Sequence, residues 1–416
     1  MLVSFSVENF RSFHAKQTFS LIGEADKSLR ETNCIQTPFR RAEWIHATDG
    51  IFGANASGKT NLYLALLASW YFVQFSSAQT WQQWGFARHQ PFAFSDDSNK
   101  SPTEFEICFI QDEKMYWLTI AYTKSRIVKE SLYVQENVKR VLLYNRTVDP
   151  TDEAKDTWEW GSSLEGKKIT WRDLTRPDAL FLSTAVQFNS EQLAIPHKWF
   201  ANNLYLIAQH SNSLGTQVTD QFVESDKQRV LTHLKKVDFG LIDAAFEDET
   251  MQSLALKLTG GSGPEGVVSQ QSIKILRFTH ESPLTHKTAK FLLQEESAGT
   301  NTFYKLIGQV LKALDNGATL FIDEIDTSLH PQLVSYIVQL FNSKEHNKKN
   351  AQLIFITHDA TQFSQDTLRR DQIWIFDKEP SLQSRVYPLS SFSPRKGEAI
   401  LKGYLAGRYG GIPYIE

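Results

Sequence analysis

Apolar and polar positions change rhythm several times along the 416 residues, and each change predicts an element. The opening Met1-Leu-Val-Ser-Phe-Ser-Val-Glu-Asn-Phe alternates with period two, as a first strand does. Residues 104–110 and 115–122 read as two further strands, preceded by a polar stretch, 94–102, of turn composition throughout. Between 61 and 75 the positions Leu62, Leu64, Ala65, Leu66, Leu67, Ala68 and Trp70 leave no polar stripe, which predicts a buried helix. Helical character then dominates from 171 to about 249, with 221–237 its clearest helix. Residues 251–258 and 267–278 alternate around the glycine-rich 260–266 and predict a β-hairpin. Phe303, Leu306, Ile307, Val310, Leu311 and Leu314 fall on one helical face, as do Leu333, Val334, Ile337, Val338 and Leu340 behind Pro331. Two continuous apolar runs, 318–322 and 352–356, predict buried strands.

Chemistry collects at the ends of these elements. Residues 51–60 read Ile-Phe-Gly-Ala-Asn-Ala-Ser-Gly-Lys-Thr, a full G-x-x-x-x-G-K-[ST] phosphate loop at the head of the first buried helix. Gly53 and Gly58 let the backbone of Asn55, Ala56 and Ser57 curl so that its N–H groups face phosphate. Lys59 reaches the β and γ oxygens, and Thr60, ahead of Asn61, offers a hydroxyl to Mg²⁺. The run ending in Asp323-Glu324 is a Walker B strand: Asp323 holds Mg²⁺ and Glu324 polarises the attacking water. Upstream, Ser297 and Gly299 sit at the start of the amphipathic helix and make a second phosphate site, distinct from the first. Downstream, His358 ends a strand where an imidazole can meet the γ-phosphate or the attacking water. Gln90 stands where a Mg²⁺-sensing glutamine belongs, or is an exposed glutamine with no role.

Composition narrows the class further. With 41% apolar and 12% aromatic residues the chain has ample material for a core, and no apolar stretch reaches the length of a membrane span. The opening residues carry no basic n-region, and Cys34 and Cys108 have no metal-ligand spacing, so a reducing cytoplasm is the expected compartment. A net charge of −3 does not indicate DNA binding, although Lys235-Lys236, the lysines of 344–349 and Arg395-Lys396 are either local patches or solvated surface.

The order phosphate loop, long insertion, signature, Walker B, switch histidine resembles the ABC-type ATPases of the RecF and SMC-like branch. Within it the chain is similar to the stand-alone ATPases of bacterial antiphage defence (RloA, abortive-infection ATPases, the ATPase subunits of PARIS and Septu). That likeness is carried by Ser6 to Phe13, Gln90-Pro-Phe, Glu295 to Thr300, Asp326-Thr-Ser-Leu-His-Pro331 and the glycine-rich 403–413. The signature, Glu296-Ser297-Ala298-Gly299-Thr300, retains Ser297 and Gly299 of the transporter form L-S-G-G-Q and departs from it elsewhere, its first and last positions included.

The resemblance implies an α/β ABC-type P-loop fold, a RecF/SMC-like head with a mixed sheet and an N-terminal antiparallel β subdomain. The expected division is an N-terminal lobe with the phosphate loop over 1–170, an inserted helical arm over 171–250, and a C-terminal lobe over 251–416. It also implies ATP and Mg²⁺ as cofactors, and a dimer or larger homo-oligomer in which the signature of one subunit closes over the nucleotide of another, with Asp326, Ser328 and His330 at that interface. Arg11 then touches nucleotide or the opposite subunit, or is plain surface. A separately encoded effector such as a nuclease, a phage-derived trigger and no membrane complete the picture; by position the arm couples to the partner. A RecF-like clamp on DNA, and a module that binds nucleotide without using it, are the competing readings.

Overall fold

A strand inside a parallel sheet is covered on both faces, so it is built from an unbroken apolar run. In the computed structural model, which describes residues 1–79, 85, 87–136, 138–208, 214–257, 265–363, 366–395 and 398–413, the two expected runs become Thr319–Asp323 and Gln352–Ile356. They lie parallel with Thr48–Gly53 and Ile373–Lys378; Leu204–Ala208 extends one edge in parallel and Ser384–Pro388 closes the other antiparallel. The sheet is therefore mixed, as expected. Leu320, Phe321, Ile322, Leu353, Ile354, Phe355, Ile373 and Ile375 are fully withdrawn from water. Parallel pairing brings the carboxyl ends of the strands carrying Gly53, Asp323 and Ile356 to one edge, where open α/β sheets bind their ligands.

Two compact units are present: residues 1–213, 313–327 and 334–416 form the first, and 214–312 with 328–333 the second. The first also holds a seven-stranded antiparallel sheet, ordered Asp152–Trp160, Val141–Asp149, Ile127–Gln135, Lys114–Tyr122, Thr103–Gln111, Leu2–Glu8, Gln17–Ser20. The opening strand and the two expected after it are there, together with four that the sequence did not suggest. Lys59–Phe75 lies between the two sheets, packed on Leu2–Glu8, Thr48–Gly53 and Thr319–Asp323 and on the helices Phe181–Gln187 and Glu191–Asn202, which is why it is apolar around its circumference. Gln352 ties the sheets together: Leu2 N donates to its Oε1 (2.6 Å), and its Nε2 donates to the carbonyls of Leu2 (3.0 Å) and His46 (3.1 Å).

Two expectations need correction. The helical stretch from 171 is interrupted at Leu204–Ala208, where an apolar run bounded by Asn202-Asn203 pairs with the Walker B strand. The helix expected over 221–237 is two helices, Gln217–Ser225 and Lys227–Leu234. Asp226 breaks it, because its side chain accepts Arg229 N (3.3 Å) and caps the second helix. Both helices pack on Leu241–Lys257, which pairs antiparallel with Glu265–Glu281 as the expected hairpin; residues 260–264 of its glycine-rich turn, and Lys396 of one basic cluster, lie outside the described residues. Thr288–Leu292 adds a third strand. Gly308 lets the signature helix meet the first of the two helices, since a Cβ there would lie 2.3 Å from Thr219 Oγ1. Among the described residues no helix is long and apolar enough to cross a membrane.

One polar cluster is sealed inside the first unit. His46, with no exposed surface, places Nδ1 2.9 Å from Asp49 Oδ1 and Nε2 3.4 Å from Asp371 Oδ2, while Arg369 grips Asp371 through both carboxylate oxygens (2.9 and 2.6 Å). Burial alone pushes the imidazole down, but the carboxylates of Asp49 and Asp371 outweigh it and raise it from 6.5 to about 9. A cation favoured by the fold contributes stability in full below 6.5 and loses it as pH rises through about 9. We therefore expect the stability of the wild-type chain relative to a His46→Gln variant to fall by on the order of 1–3 kcal/mol between pH 6.5 and 9.5, read from denaturant midpoints of both across that range. A difference that is flat over that interval contradicts a charged His46.

Candidate nucleotide-binding site

The phosphate loop leaves the strand Thr48–Gly53 and enters the helix Lys59–Phe75 through backbone that only small residues tolerate. Gly53 (φ 149°) has no room for a side chain, because a Cβ would lie 2.3 Å from the Phe376 carbonyl oxygen. Gly58 (φ 105°) is just as constrained: a Cβ would meet Ser384 Oγ at 2.1 Å and Ser12 Oγ at 2.6 Å. Ala56 also takes a left-handed conformation. The helix that follows points its first N–H groups, which have no acceptor inside the helix, back toward the loop.

Lys59 folds over this loop and donates from Nζ to the carbonyls of Gly53 (2.6 Å) and Ala54 (3.0 Å). Burial pushes its ammonium down to about 8, against the pull of the Asp323, Asp326 and Glu324 carboxylates. A desolvated cation whose described hydrogen bonds go to neutral carbonyls is a strong anion receptor, since a phosphate returns the charge interaction that burial removed.

The acidic side of the site comes from the neighbouring strand ends. Thr60 Oγ1 lies 3.4 Å from Asp323 Oδ1, so a hydroxyl and a buried carboxylate meet at one point. Oxygen donors of that kind suit Mg²⁺, and the pair therefore fits the ion that accompanies a nucleoside triphosphate. Glu324 follows in a left-handed conformation (φ 58°), and Ile325 N donates to the Ile356 carbonyl (3.0 Å), which fixes the end of one strand against the next. His358 N donates to Asp326 Oδ2 (3.2 Å). Burial and then the Lys59 cation push the His358 imidazole down, opposed by Asp326 and Glu324, which favours the neutral ring that can accept or relay a proton.

These groups open on one cleft of about 780 Å³, lined by Ser12, residues 55–61, Glu324, Thr327, His358 and Lys378. The volume lies within the range of small-ligand sites. The expected loop residues Asn55, Ala56, Ser57, Gly58, Lys59, Thr60 and Asn61 are thus brought together with Glu324 and His358, and Asp323 joins them through Thr60.

Arg11 and Gln90 do not line this cleft. Arg11 N donates to the Gln90 carbonyl (2.7 Å), Gln90 Nε2 donates to the Gly85 carbonyl (3.2 Å), and Arg11 Nε is buried with no acceptor among the described residues. Ser297 and Gly299 belong to the second unit. There Ser297 caps the helix Ala298–Asn316: its Oγ accepts Thr300 N (3.1 Å) and its carbonyl accepts Asn301 N (2.9 Å). A Cβ on Gly299 would lie 3.2 Å from the Ser328 carbonyl oxygen, so the signature touches the D-loop, the stretch Asp326 to Pro331, through a glycine.

Sequence reasoning missed Ser12, Ser384 and Lys378. Ser384 Oγ lies 2.6 Å from the Ser57 carbonyl and 2.7 Å from Ser12 Oγ, Ser384 N donates to the Ser12 carbonyl (2.7 Å), and Asn61 Nδ2 donates to Ser12 Oγ (2.7 Å). This ring of hydroxyls braces the loop from behind. Its members come from 12, 57–61 and 384, so no local pattern could have joined them; the Asn-Phe-Arg-Ser stretch drew attention to Arg11 rather than to its neighbour.

No curated protein matches the chain. Residues 50–362, about three quarters of it, match the model of the family described as "AAA domain, putative AbiEii toxin, Type IV TA system", a span that opens on the phosphate-loop strand and closes just beyond His358. With the phosphate loop, the Walker B acids and His358 all inside that match, the chain belongs to this family of AAA-type P-loop ATPase domains.

Proposed function

We propose that this chain is the ATP-binding and ATP-hydrolysing subunit of a bacterial antiphage defence system of the abortive-infection type. In this reading it forms an ATP-dependent dimer or larger scaffold that responds to infection and controls a separately encoded effector. The observation that carries the enzymatic part is the convergence of Lys59, Thr60, Asp323, Glu324 and His358 on a single cleft. The defence part is supported by the family's description, which refers to abortive-infection and toxin–antitoxin proteins.

The residues divide the work by charge and position. The loop amides and the Lys59 ammonium bind the β- and γ-phosphates, and the low dielectric around Lys59 strengthens that contact. Thr60 and Asp323 would hold Mg²⁺, which when bound would neutralise charge on the phosphate oxygens. Glu324, at the strand end facing the cleft, orients and polarises the attacking water, and His358 hydrogen-bonds that water or the γ-phosphate. The signature of the partner subunit then closes the site, which makes assembly depend on nucleotide.

Lys59→Ala is expected to weaken ATP binding by about 2 kcal/mol or more, the worth of a charge-assisted contact made out of water, measured by calorimetric titration. Glu324→Gln keeps ATP binding but lowers turnover by about 10²–10⁴-fold, and ATP-bound dimers accumulate in light-scattering mass measurements. Equal turnover in wild type and Glu324→Gln argues for a module that binds nucleotide without hydrolysing it. In cells carrying the chain with its neighbouring gene, phage plating is reduced, and Lys59→Ala restores it to the level of cells lacking the pair. Nucleotide-driven dimers that ignore the neighbouring product and retain DNA support the repair clamp instead.

A further inference from the structure

The second unit gathers an unbalanced, partly buried group of charges beside the signature. Asp238 follows the helix Lys227–Leu234, His280 lies near the end of the strand Glu265–Glu281, and Glu296 directly precedes Ser297. One ligand atom from each, an imidazole nitrogen and two carboxylate oxygens, falls within 4.8 Å of the others. His280 Nε2 lies 2.8 Å from Glu296 Oε1, and Nδ1 lies 3.7 Å from Asp238 Oδ2. Gly240 N donates to the other Asp238 oxygen (2.9 Å), which turns Oδ2 toward the ring, and Phe291 stands edge-on to the imidazole at 5.4 Å.

The charge count is what the fold leaves unexplained. The Glu296 side chain is only 6% exposed, and among the described residues no lysine or arginine pairs with it or with Asp238. An imidazole supplies at most one positive charge against two carboxylates. A carboxylate withdrawn from water needs a cation, and a divalent ion balances both carboxylates where an imidazolium balances only one. One nitrogen and two oxygen donors suit a first-row transition ion of the Zn²⁺ type better than Mg²⁺ or Ca²⁺, which take oxygen alone. Asp238, with a third of its side chain exposed, leaves room for water at the remaining positions.

We propose that Asp238, His280 and Glu296 form a divalent transition-metal site of the Zn²⁺ class that pins the chain entering the signature helix to the hairpin. Ligation through Glu296 fixes the residue next to Ser297 and so sets the approach of the helix cap. The site itself is independent of the ATPase reading; only its effect on the signature rests on that reading.

The test uses the untagged full chain, stripped of metal, without nucleotide and with excess Mg²⁺, titrated with Co²⁺ by visible absorption and with Zn²⁺ by calorimetry. One equivalent is expected to bind, with a Co²⁺ d–d band that Zn²⁺ displaces. His280→Gln and Glu296→Gln each weaken binding by about 10- to 100-fold or more, while His286→Gln, an exposed histidine paired with Glu281, leaves it unchanged. The proposal is overturned if the wild type shows no saturable Co²⁺ or Zn²⁺ binding, or if either variant, shown folded by circular dichroism, binds as the wild type does. Should His280→Gln fail to fold, the isosteric Glu296→Gln decides the comparison. Failure of ATP binding or turnover, measured separately, bears on the nucleotide cleft and not on this site.

Discussion

A lysine ammonium held out of water among three carboxylates is the constraint around which the first unit is arranged. Lys59 could shed that strain by extending into solvent, but its Nζ is held by the carbonyls of Gly53 and Ala54, and the loop that carries them is held in turn by glycines with no space for a side chain. The three carboxylates near it, Asp323, Glu324 and Asp326, all come from the end of one strand, Thr319–Asp323, and the turn that follows. The parallel sheet therefore fixes the electrostatics as well as the shape, because slipping one strand by a residue would reverse every side chain and move the acids off the edge.

Polar groups inside the protein carry much of that register. The Gln352 amide links the opening strand to the parallel sheet, and the cluster of His46, Asp49, Asp371 and Arg369 links strands and turns that are far apart in the chain. Apolar packing alone is non-directional and would tolerate neighbouring registers; a buried amide or ion pair that loses its partner costs several times what a displaced methyl group does. These groups act as specifiers of one arrangement, and Ser12 and Ser384 do the same for the back of the phosphate loop.

The second unit applies the same logic around the signature. Ser297 spends its hydroxyl on the helix cap, Gly299 brings the D-loop backbone close, and Glu296 is drawn toward His280 rather than into solvent. The start of the signature helix is thus tied to the hairpin on one side and to the D-loop on the other. A change of charge at Asp238, His280 and Glu296 would be felt first at the cap, which is the part of the helix that has backbone N–H groups left to offer an anion.

The chemistry of the nucleotide cleft was written locally, and that is why the chain alone determined it: Gly53 through Thr60 needs its glycines and lysine at set spacing, and a strand ending in Asp323-Glu324 announces both itself and its acids. The buried strands and the signature helix were legible for the same reason, since apolar periodicity reports the face that is covered. Where a short-range competitor acted, the pattern misled: Asp226 capped a new helix inside an unbroken amphipathic run, and Leu204–Ala208 looked like part of a helical stretch because five residues are too few to show a period. Only the tertiary structure decided which distant polar residues would meet. Ser12 with Ser384, Gln352 with Leu2, Arg11 with Gln90 and Asp238 with His280 and Glu296 are contacts across 16 to 372 positions of chain, each made by elements whose packing, not whose sequence neighbourhood, brings the side chains into range.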